Sequence, residues 1–365
     1  MITGDLRRAI ARAAASAALA GAETDPGLRP GASPGTYVSS VAFGLAASRS
    51  PREAAALLAD RLAREPWIAR AEVSGPGFLA LTVTPEAFAA LPGRIAAAGP
   101  ACARGEALRG VTLEAPPPAD LLAAATWEEA RAALAAELTA RLAAAAGATV
   151  TASPYPERPE PSPQRTLLPA GGATQDRPAP ALPPRQSLPP PGGDARDRSA
   201  EKTAEVAAAV AFAGADAVRF ALARAVPGRP VRIDAAEIAR HLPGNPAYAV
   251  RYAHARAASG VRWAASLGSA AVPRRLPADP GELALVDALS WLPERVAVAA
   301  RRGRPDEFAR YLEELAGVTL ATLSSVSNPG RARAPGSDRL ALASAAQAGL
   351  AAGLGLLGVS APDRL

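Results

Sequence analysis

Apolar residues recur at helical spacing through most of the second half of the chain. Three such runs follow one another after residue 278, and each begins at a helix-start signal. These signals are Asp279, Pro305 and Ser337 or Asp338. Within each run the apolar residues return every three or four positions, which is the spacing of one helix face. The pattern therefore predicts helices whose apolar faces close a bundle.

Residues 214–256 predict three short helices with clear breaks between them. Asp216 is the expected N-cap of the first helix, over residues 217–225. Asp234 and Glu237 have the spacing of a capping box and predict the start of the second. We expect both Asp216 and its neighbour Arg219 to have structural roles.

The third of these helices begins at Pro246, directly after Asn245, and it carries the candidate binding residues. Aromatic side chains fall on one face and arginines flank them: Tyr248, Tyr252 and Trp263, with Arg251, Arg256 and Arg262. The rings are candidates to stack on unpaired RNA bases, or alternatively to pack in the core. The arginines are candidates for phosphate contacts, or for a solvated face. His254 is expected to be a hydrogen-bonded helix residue.

The first hundred residues mix helical spacing with two alternating segments. Helices are predicted over residues 1–20, 37–47 and 51–64, the last beginning at a Ser50–Glu53 capping box. Two strands follow over residues 68–73 and 78–83, with a glycine-containing turn between them. A final helix is predicted to begin at Pro85. These elements predict a compact α+β domain.

Between this domain and the helical half lie two further segments. Short strands at 111–115 and 148–152 flank a helix over 126–145, which is the β-α-β order of a doubly wound sheet. Thirteen prolines then fall within residues 154–200, without apolar periodicity. Such a composition cannot bury enough apolar surface to offset its ordering entropy, so it predicts a disordered spacer between two separate halves.

Composition limits the class of partner. The net charge is +6 and the isoelectric point about 10.2, which favours polyanions such as RNA. Cys102 is the single cysteine, so no disulfide framework or cysteine-based zinc site is expected. No segment offers about twenty consecutive apolar residues, so we expect a soluble, cytoplasmic protein without a membrane span.

Several motifs resemble arginyl-tRNA synthetase. Residues 214–220 (GADAVRF) and 245–256 (NPAYAVRYAHAR) are similar to the start of that family's DALR-type anticodon-binding domain. The last nine residues, LGVSAPDRL, are similar to its C-terminal signature. The motifs GTYVSSVA from Gly35, PREA from Pro51 and VSGPGF from Val73 resemble its N-terminal additional domain.

The resemblance implies an α+β multidomain protein. It implies a small N-terminal α+β domain at 1–100, a truncated Rossmann-like β-α-β remnant at 110–152, the proline-rich disordered linker at 153–200 and an all-α DALR-type bundle at 201–365. In the family the N-terminal domain contacts the outer corner of tRNA. This adds Tyr37 and Phe78 to the RNA-binding candidates, and Asn245 joins them from the DALR-type motif.

The family's ATP site is missing from the sequence. In working enzymes the loop after the first strand carries a His-x-Gly-His motif, whereas residues 116–122 read PPPADLL. The two histidines are His241 and His254, and Lys202 is the single lysine, so a lysine-rich phosphate loop is also missing. We therefore predict no catalytic residues, no cofactor and no metal.

The sequence favours a non-catalytic tRNA-binding relative of arginyl-tRNA synthetase, with arginine tRNAs as candidate partners. The alternative is a regulatory or protein-interaction module that keeps the fold without RNA binding and docks on a synthetase or another protein. An active arginine–tRNA ligase is the least supported hypothesis.

Overall fold

The structure is a computed structural model of the 365-residue chain. It describes residues 1–19, 25–45, 49–151, 205–268, 279–324 and 337–365. The linker predicted over residues 153–200 lies outside the described residues.

The N-terminal unit packs helices against one antiparallel sheet. Its elements are α1 (Ile2–Ser16), β1 (Arg29–Pro30), β2 (Thr36–Ser39), α2 (Val41–Leu45), α3 (Pro51–Leu62), β3 (Ile68–Ser74), β4 (Phe78–Val83), α4 (Pro85–Ala89), α5 (Leu91–Ala98) and a 3-10 turn (Gly99–Ala103). The strands pair in the order β1-β2-β4-β3. The unit is α+β, as predicted.

Local signals in the sequence build this unit. The Ser50 side chain accepts a hydrogen bond from the Glu53 amide at 3.2 Å, and the Glu53 carboxylate accepts one from the Ser50 amide at 2.9 Å. This is the predicted capping box. In the β3–β4 turn Gly77 has φ 149°, and a Cβ there would lie 2.6 Å from the side chain of Pro51. Only glycine fits that approach of the hairpin to α3.

Residues 37–47 are not the helix that the sequence predicted. Tyr37 lies in β2, where it pairs with Leu81, and the helix that follows is limited to α2. The reason is the alternating burial of a strand: Tyr37 and Ser39 are buried, whereas Thr36 and Val38 are half-exposed. Aromatic and β-branched residues favour such a half-buried strand.

The β-α-β unit has the predicted order. It consists of β5 (Thr112–Glu114), α6 (Trp127–Ala145) and β6 (Thr149–Thr151), and the two strands pair in parallel. The side chain of Thr126 caps α6 by accepting from the Glu129 amide at 3.1 Å.

The second half is helical. Its described elements are α7 (Glu205–Ala213), α8 (Ala215–Arg224), α9 (Ala235–Ile238), α10 (Pro246–Ser266), α11 (Pro280–Ser290), α12 (Leu292–Arg302), α13 (Pro305–Ser324) and α14 (Ser337–Leu356). The sequence predicted one helix from residue 279 onward, but the chain breaks at Trp291 into α11 and α12. The predicted all-α bundle is otherwise present.

Helix α14 is the core helix of this bundle. Its segment Asp338–Leu356 is long and apolar enough to cross a membrane by composition, yet 61% of the window is buried inside the protein. Gly353 has no room for a side chain because a Cβ there would overlap the side chain of Leu312. Close helix packing of this kind explains the apolar character of α14.

The N-terminal unit docks directly on the bundle. The Tyr37 hydroxyl donates to the Ser290 hydroxyl at 3.1 Å, and the Thr3 hydroxyl donates to the Ser290 carbonyl at 3.1 Å. Beside them Arg7 pairs with Glu294 at 2.7 Å, and Glu294 is almost fully buried. The two halves that the sequence placed at the ends of a spacer therefore share a packed interface.

Candidate nucleic-acid interface

Three aromatic rings form a ladder where α9 leads into α10. His241 stacks on Tyr248 with ring centroids 5.4 Å apart and an interplanar angle of 10°. Tyr248 stacks in turn on Tyr252, one helical turn later, at 5.6 Å and 11°. Tyr252 is 39% exposed and His241 is exposed, so the ladder lies on the surface and not in the core. An unpaired base could extend such a stack at either end.

Asn245 holds the loop that carries His241. Its side-chain oxygen accepts from the Ala247 amide at 3.1 Å and caps α10. Its side-chain nitrogen donates to the carbonyls of Ile238 and Arg240 at 2.6 and 2.8 Å. Asn245 is buried and its polar atoms are used in the loop, which corrects its assignment as an RNA contact.

The outward face of α10 continues from the ladder. Tyr252, Ser259 and Trp263 are exposed along this face, and Trp263 is 46% exposed. Arg256 lies one turn after Tyr252 and is half-buried. Among the described residues its guanidinium has no ion pair or hydrogen bond, so Arg256 remains a candidate for a phosphate contact. The core interpretation of Tyr252 and Trp263 is therefore wrong.

Arg251 is engaged on the opposite flank of the helix. Its guanidinium lies 3.2 Å from the Ser360 hydroxyl and 3.6 Å from the Asp216 carboxylate. Asp216 also accepts a hydrogen bond from Ser360. Gly214, and not Asp216, occupies the N-cap of α8, so the predicted cap is wrong. Arg251 thus contacts the C-terminal segment, and its assignment as a phosphate contact stays a prediction.

The remaining residues of α10 divide between surface and core. Arg262 is half-buried, and one of its terminal nitrogens is enclosed without a hydrogen-bond partner among the residues that are described. His254 is buried, and its Nδ1 lies 3.0 Å from the Pro362 carbonyl. The prediction of a hydrogen-bonded histidine is confirmed.

A basic cleft of about 690 Å³ opens between α8, α9 and the start of α10. Five arginines and two carboxylates line it: Arg224, Arg229, Arg232, Arg240, Arg310, Asp234 and Glu237. Its excess of positive charge suits a phosphate backbone. Arg131 of α6 fixes the loop that brings these residues together, by donating to the Val226 carbonyl at 3.1 Å. These arginines could not be predicted as one site from the sequence, because they lie on two helices and in the segment between α8 and α10 and follow no single helix face.

Tyr37 and Phe78 of the N-terminal unit have different environments. The Tyr37 side chain is fully buried, its ring lies 5.3 Å from that of Trp291, and burial raises its pKa. This corrects the assignment of Tyr37 as an RNA contact. Phe78 is half-buried and meets Phe43 edge-to-face at 5.0 Å, and Phe43 is 43% exposed. This pair keeps Phe78 at the surface of the hairpin.

The loop after β5 is organised by carboxylates. The Ala119 amide donates to Glu137 at 2.9 Å, and the Leu122 amide donates to Asp120 at 2.9 Å. Over the described ranges, no group of three or more His, Cys, Asp or Glu side chains is placed to hold a metal ion.

Two family models match separate parts of the chain. The arginyl tRNA synthetase N terminal domain matches residues 4–83, and the DALR anticodon binding domain matches residues 250–365. The fold is similar to that of the Thermus thermophilus arginyl-tRNA synthetase, with a TM-score of 0.59 and 17% identity, covering 100% of this chain and 100% of that chain. At this identity the likeness concerns the fold.

Curated relatives are arginine–tRNA ligases. The chain is 38% identical to the enzyme of Frankia alni over 160 residues, which is 42% of this chain and 29% of the relative. It is 39% identical to that of Clavibacter sepedonicus over 159 residues, 42% of this chain and 28% of the relative. The chain thus spans less than a third of the length of these relatives. Residues 4–83 are thus similar to the N-terminal domain of arginyl-tRNA synthetases, and residues 250–365 are similar to the DALR anticodon-binding domain.

Proposed function

We propose that the chain is a non-catalytic relative of arginyl-tRNA synthetase that binds a cytoplasmic tRNA through its anticodon loop. The proposed surface, called the α10 face below, consists of His241, Tyr248, Tyr252, Arg256 and Trp263, together with the arginine-lined cleft. The observation that carries the proposal is the exposed ring ladder beside that cleft. Single-stranded RNA is bound by this combination of stacking rings and a positive groove.

Each part of the surface has a separate task in this proposal. Bases of the loop stack on the open ring faces, and each stacked base contributes about 1–3 kcal/mol by alanine substitution. Arginines contact phosphates, to which their guanidinium can donate two hydrogen bonds at once. The net charge of +6 adds long-range attraction for the polyanion.

The non-catalytic part of the proposal rests on the loop between β5 and α6. Its residues 116–122 include neither histidine nor glycine, and their one charged side chain, Asp120, is hydrogen-bonded within the loop. We expect no arginine-dependent ATP–pyrophosphate exchange from protein purified free of host synthetase. Exchange that follows the purified protein and requires arginine would overturn this part.

Binding is tested by comparing RNA shapes at equal charge. Fluorescence anisotropy would measure the affinity for an arginine tRNA, for its isolated anticodon stem-loop, and for a blunt duplex with as many phosphates as the stem-loop. We expect the tRNA and the stem-loop to bind more tightly than the duplex. If the duplex binds equally well, loop recognition is wrong, and the protein-interaction alternative takes its place.

A further inference from the structure

A second charged cavity lies on the N-terminal unit and shares no lining residue with the basic cleft. It has a volume of about 350 Å³ and lies among α1, α4, α5 and the start of β3. Its charged lining consists of three arginines and one carboxylate, with Trp67 beside them: Arg8, Arg12, Arg94 and Asp5. Small-molecule sites occupy roughly 300–1,000 Å³, so the cavity is large enough for one compact ligand.

The arginines outnumber the carboxylates that hold them. Asp5 accepts from both Arg8 and Arg94, each at 2.6 Å. Glu65 accepts from Arg12 at 2.8 Å. Three guanidiniums are thus held by two carboxylates. Each guanidinium has five N–H donors, and most of them are not used in these pairs.

These ion pairs are weak enough to rearrange. The side chains of Arg8, Arg12 and Arg94 are 50%, 61% and 46% exposed. Exposed pairs of this kind contribute only about 0–1 kcal/mol. A phosphate offers several oxygens to the planar guanidiniums and can form paired hydrogen bonds with more than one of them. An incoming phosphate group therefore competes well for these arginines.

Trp67 adds a flat apolar surface to the cavity. Its indole N–H donates to the Glu65 carboxylate at 3.1 Å, which fixes the ring orientation. The same carboxylate holds Arg12, so ring and guanidinium are positioned by one group. Ile2 and Ala87 complete the apolar lining. Fixed aromatic surface next to paired arginines suits a ligand that joins a planar ring to a phosphate.

We propose that this cavity, called the α1 cavity below, binds a nucleotide through its 5′-phosphate. The phosphate contacts Arg8, Arg12 and Arg94, and the base packs against Trp67. The ligand is either a free nucleotide or the 5′-phosphorylated end of an RNA. This site is separate from the α10 face, so it does not depend on the proposed anticodon-loop binding.

Calorimetric titration of the full chain with adenosine 5′-monophosphate tests the proposal. Three variants separate the sites: R8Q/R12Q in the α1 cavity, R232Q/R240Q in the basic cleft, and R64Q/R109Q as a charge-matched control. Arg64 and Arg109 are exposed arginines in local ion pairs elsewhere on the protein. Thermal unfolding of each variant shows whether it is folded.

We expect R8Q/R12Q to weaken nucleotide binding by about tenfold or more, because each lost charge-assisted hydrogen bond costs about that much. The other two variants should bind as the wild type does, and adenosine without phosphate should also bind about tenfold more weakly. If a 5′-phosphorylated tetranucleotide binds with the same affinity as the free nucleotide, the ligand is the 5′ end of an RNA. If the tetranucleotide binds much more weakly, the ligand is a free nucleotide. Equal affinity for adenosine, loss of binding in R232Q/R240Q alone, or no heat of binding would overturn the proposal.

Discussion

The carboxylate of Glu137 accepts a hydrogen bond at 2.7 Å from Arg219, which lies 82 residues later in the chain. Glu137 belongs to α6 of the β-α-β unit, and Arg219 belongs to α8 of the helical bundle. Both side chains are largely buried, with 13% and 16% exposure. The same carboxylate accepts from the Ala119 amide and pairs with Arg141 at 2.6 Å. One residue therefore links the β-α-β unit, its loop and the bundle.

The first prediction concerns the acid sensitivity of this link. Burial acts to raise the pKa of Glu137, but the hydrogen bonds from Ala119 and Arg219 outweigh it and lower the pKa below its usual value. A carboxylate with a lowered folded-state pKa stabilises the fold above its unfolded pKa of about 4.3, and this stabilisation is lost as the pH falls through the folded-state pKa.

We therefore expect Glu137→Gln to lower the free energy of unfolding by about 2 kcal/mol at pH 7, and by less in acid. Urea unfolding of the wild type and the variant, at pH 7 and in acid, measures this difference in the free energy of unfolding. Glu106→Gln is the control, because Glu106 is in an exposed pair with Arg109. An equal loss at both pH values would show that the charge of Glu137 does not matter.

The second prediction concerns the interface between the N-terminal unit and the bundle. Tyr37, Thr3 and Arg7 all contact the α11–α12 corner. A recognition sequence for a site-specific protease can be inserted within residues 160–190 and cleaved. The two fragments should then elute together as one peak in size-exclusion chromatography. Two separate peaks in physiological salt would show that the interface does not hold without the connecting chain.

The third prediction separates a core residue from a binding residue. Tyr37→Phe removes the hydrogen bond to Ser290 and should cost about 1 kcal/mol of stability. The affinity for tRNA should stay the same, because the Tyr37 side chain is fully buried. Thermal unfolding and anisotropy on the same preparation check both parts. Weaker tRNA binding by a folded Tyr37→Phe protein would contradict this expectation and would indicate that Tyr37 contacts RNA.

Local signals allowed much of the fold to be predicted. The Ser50–Glu53 box, the Asn245-Pro246 start of α10 and the strand–helix–strand order at 110–152 all depend on neighbouring residues, and all are present. The prediction of a helix over 37–47 was wrong because pairing with β4 outweighs the local preference at Tyr37. Such pairing depends on residues more than forty positions away.

The candidate site was harder to predict than the fold. Helical spacing placed Tyr252 and Trp263 on one face, but spacing alone does not show whether a face is buried. His241 and three of the cleft arginines lie in the segment between α8 and α10, where the short helix α9 offers no periodic pattern: Arg229, Arg232 and Arg240. The contacts of Arg251 could not be predicted because its partners, Asp216 and Ser360, lie 35 and 109 residues away in sequence.

The fourth prediction contrasts two arginines of α10. Arg251→Gln should lower stability by about 1 kcal/mol, because it loses the contacts with Asp216 and Ser360. Arg256→Gln should leave stability unchanged and weaken tRNA binding, with a salt dependence flatter by about one unit for one lost phosphate contact. Anisotropy at several salt concentrations, together with urea unfolding, separates the two. The reverse pattern would mean that the two roles are exchanged.

The most direct test of the central claim measures tRNA affinity for two substitutions of Tyr252. Tyr252→Phe keeps the ring of the ladder, and Tyr252→Leu keeps apolar bulk without an aromatic face. If RNA bases stack on this ring, the Phe variant should bind as the wild type does. The folded Leu variant should then bind about tenfold more weakly, which is the loss expected for one stacked base. Unchanged affinity in a folded Tyr252→Leu protein would contradict the claim that the α10 face binds RNA.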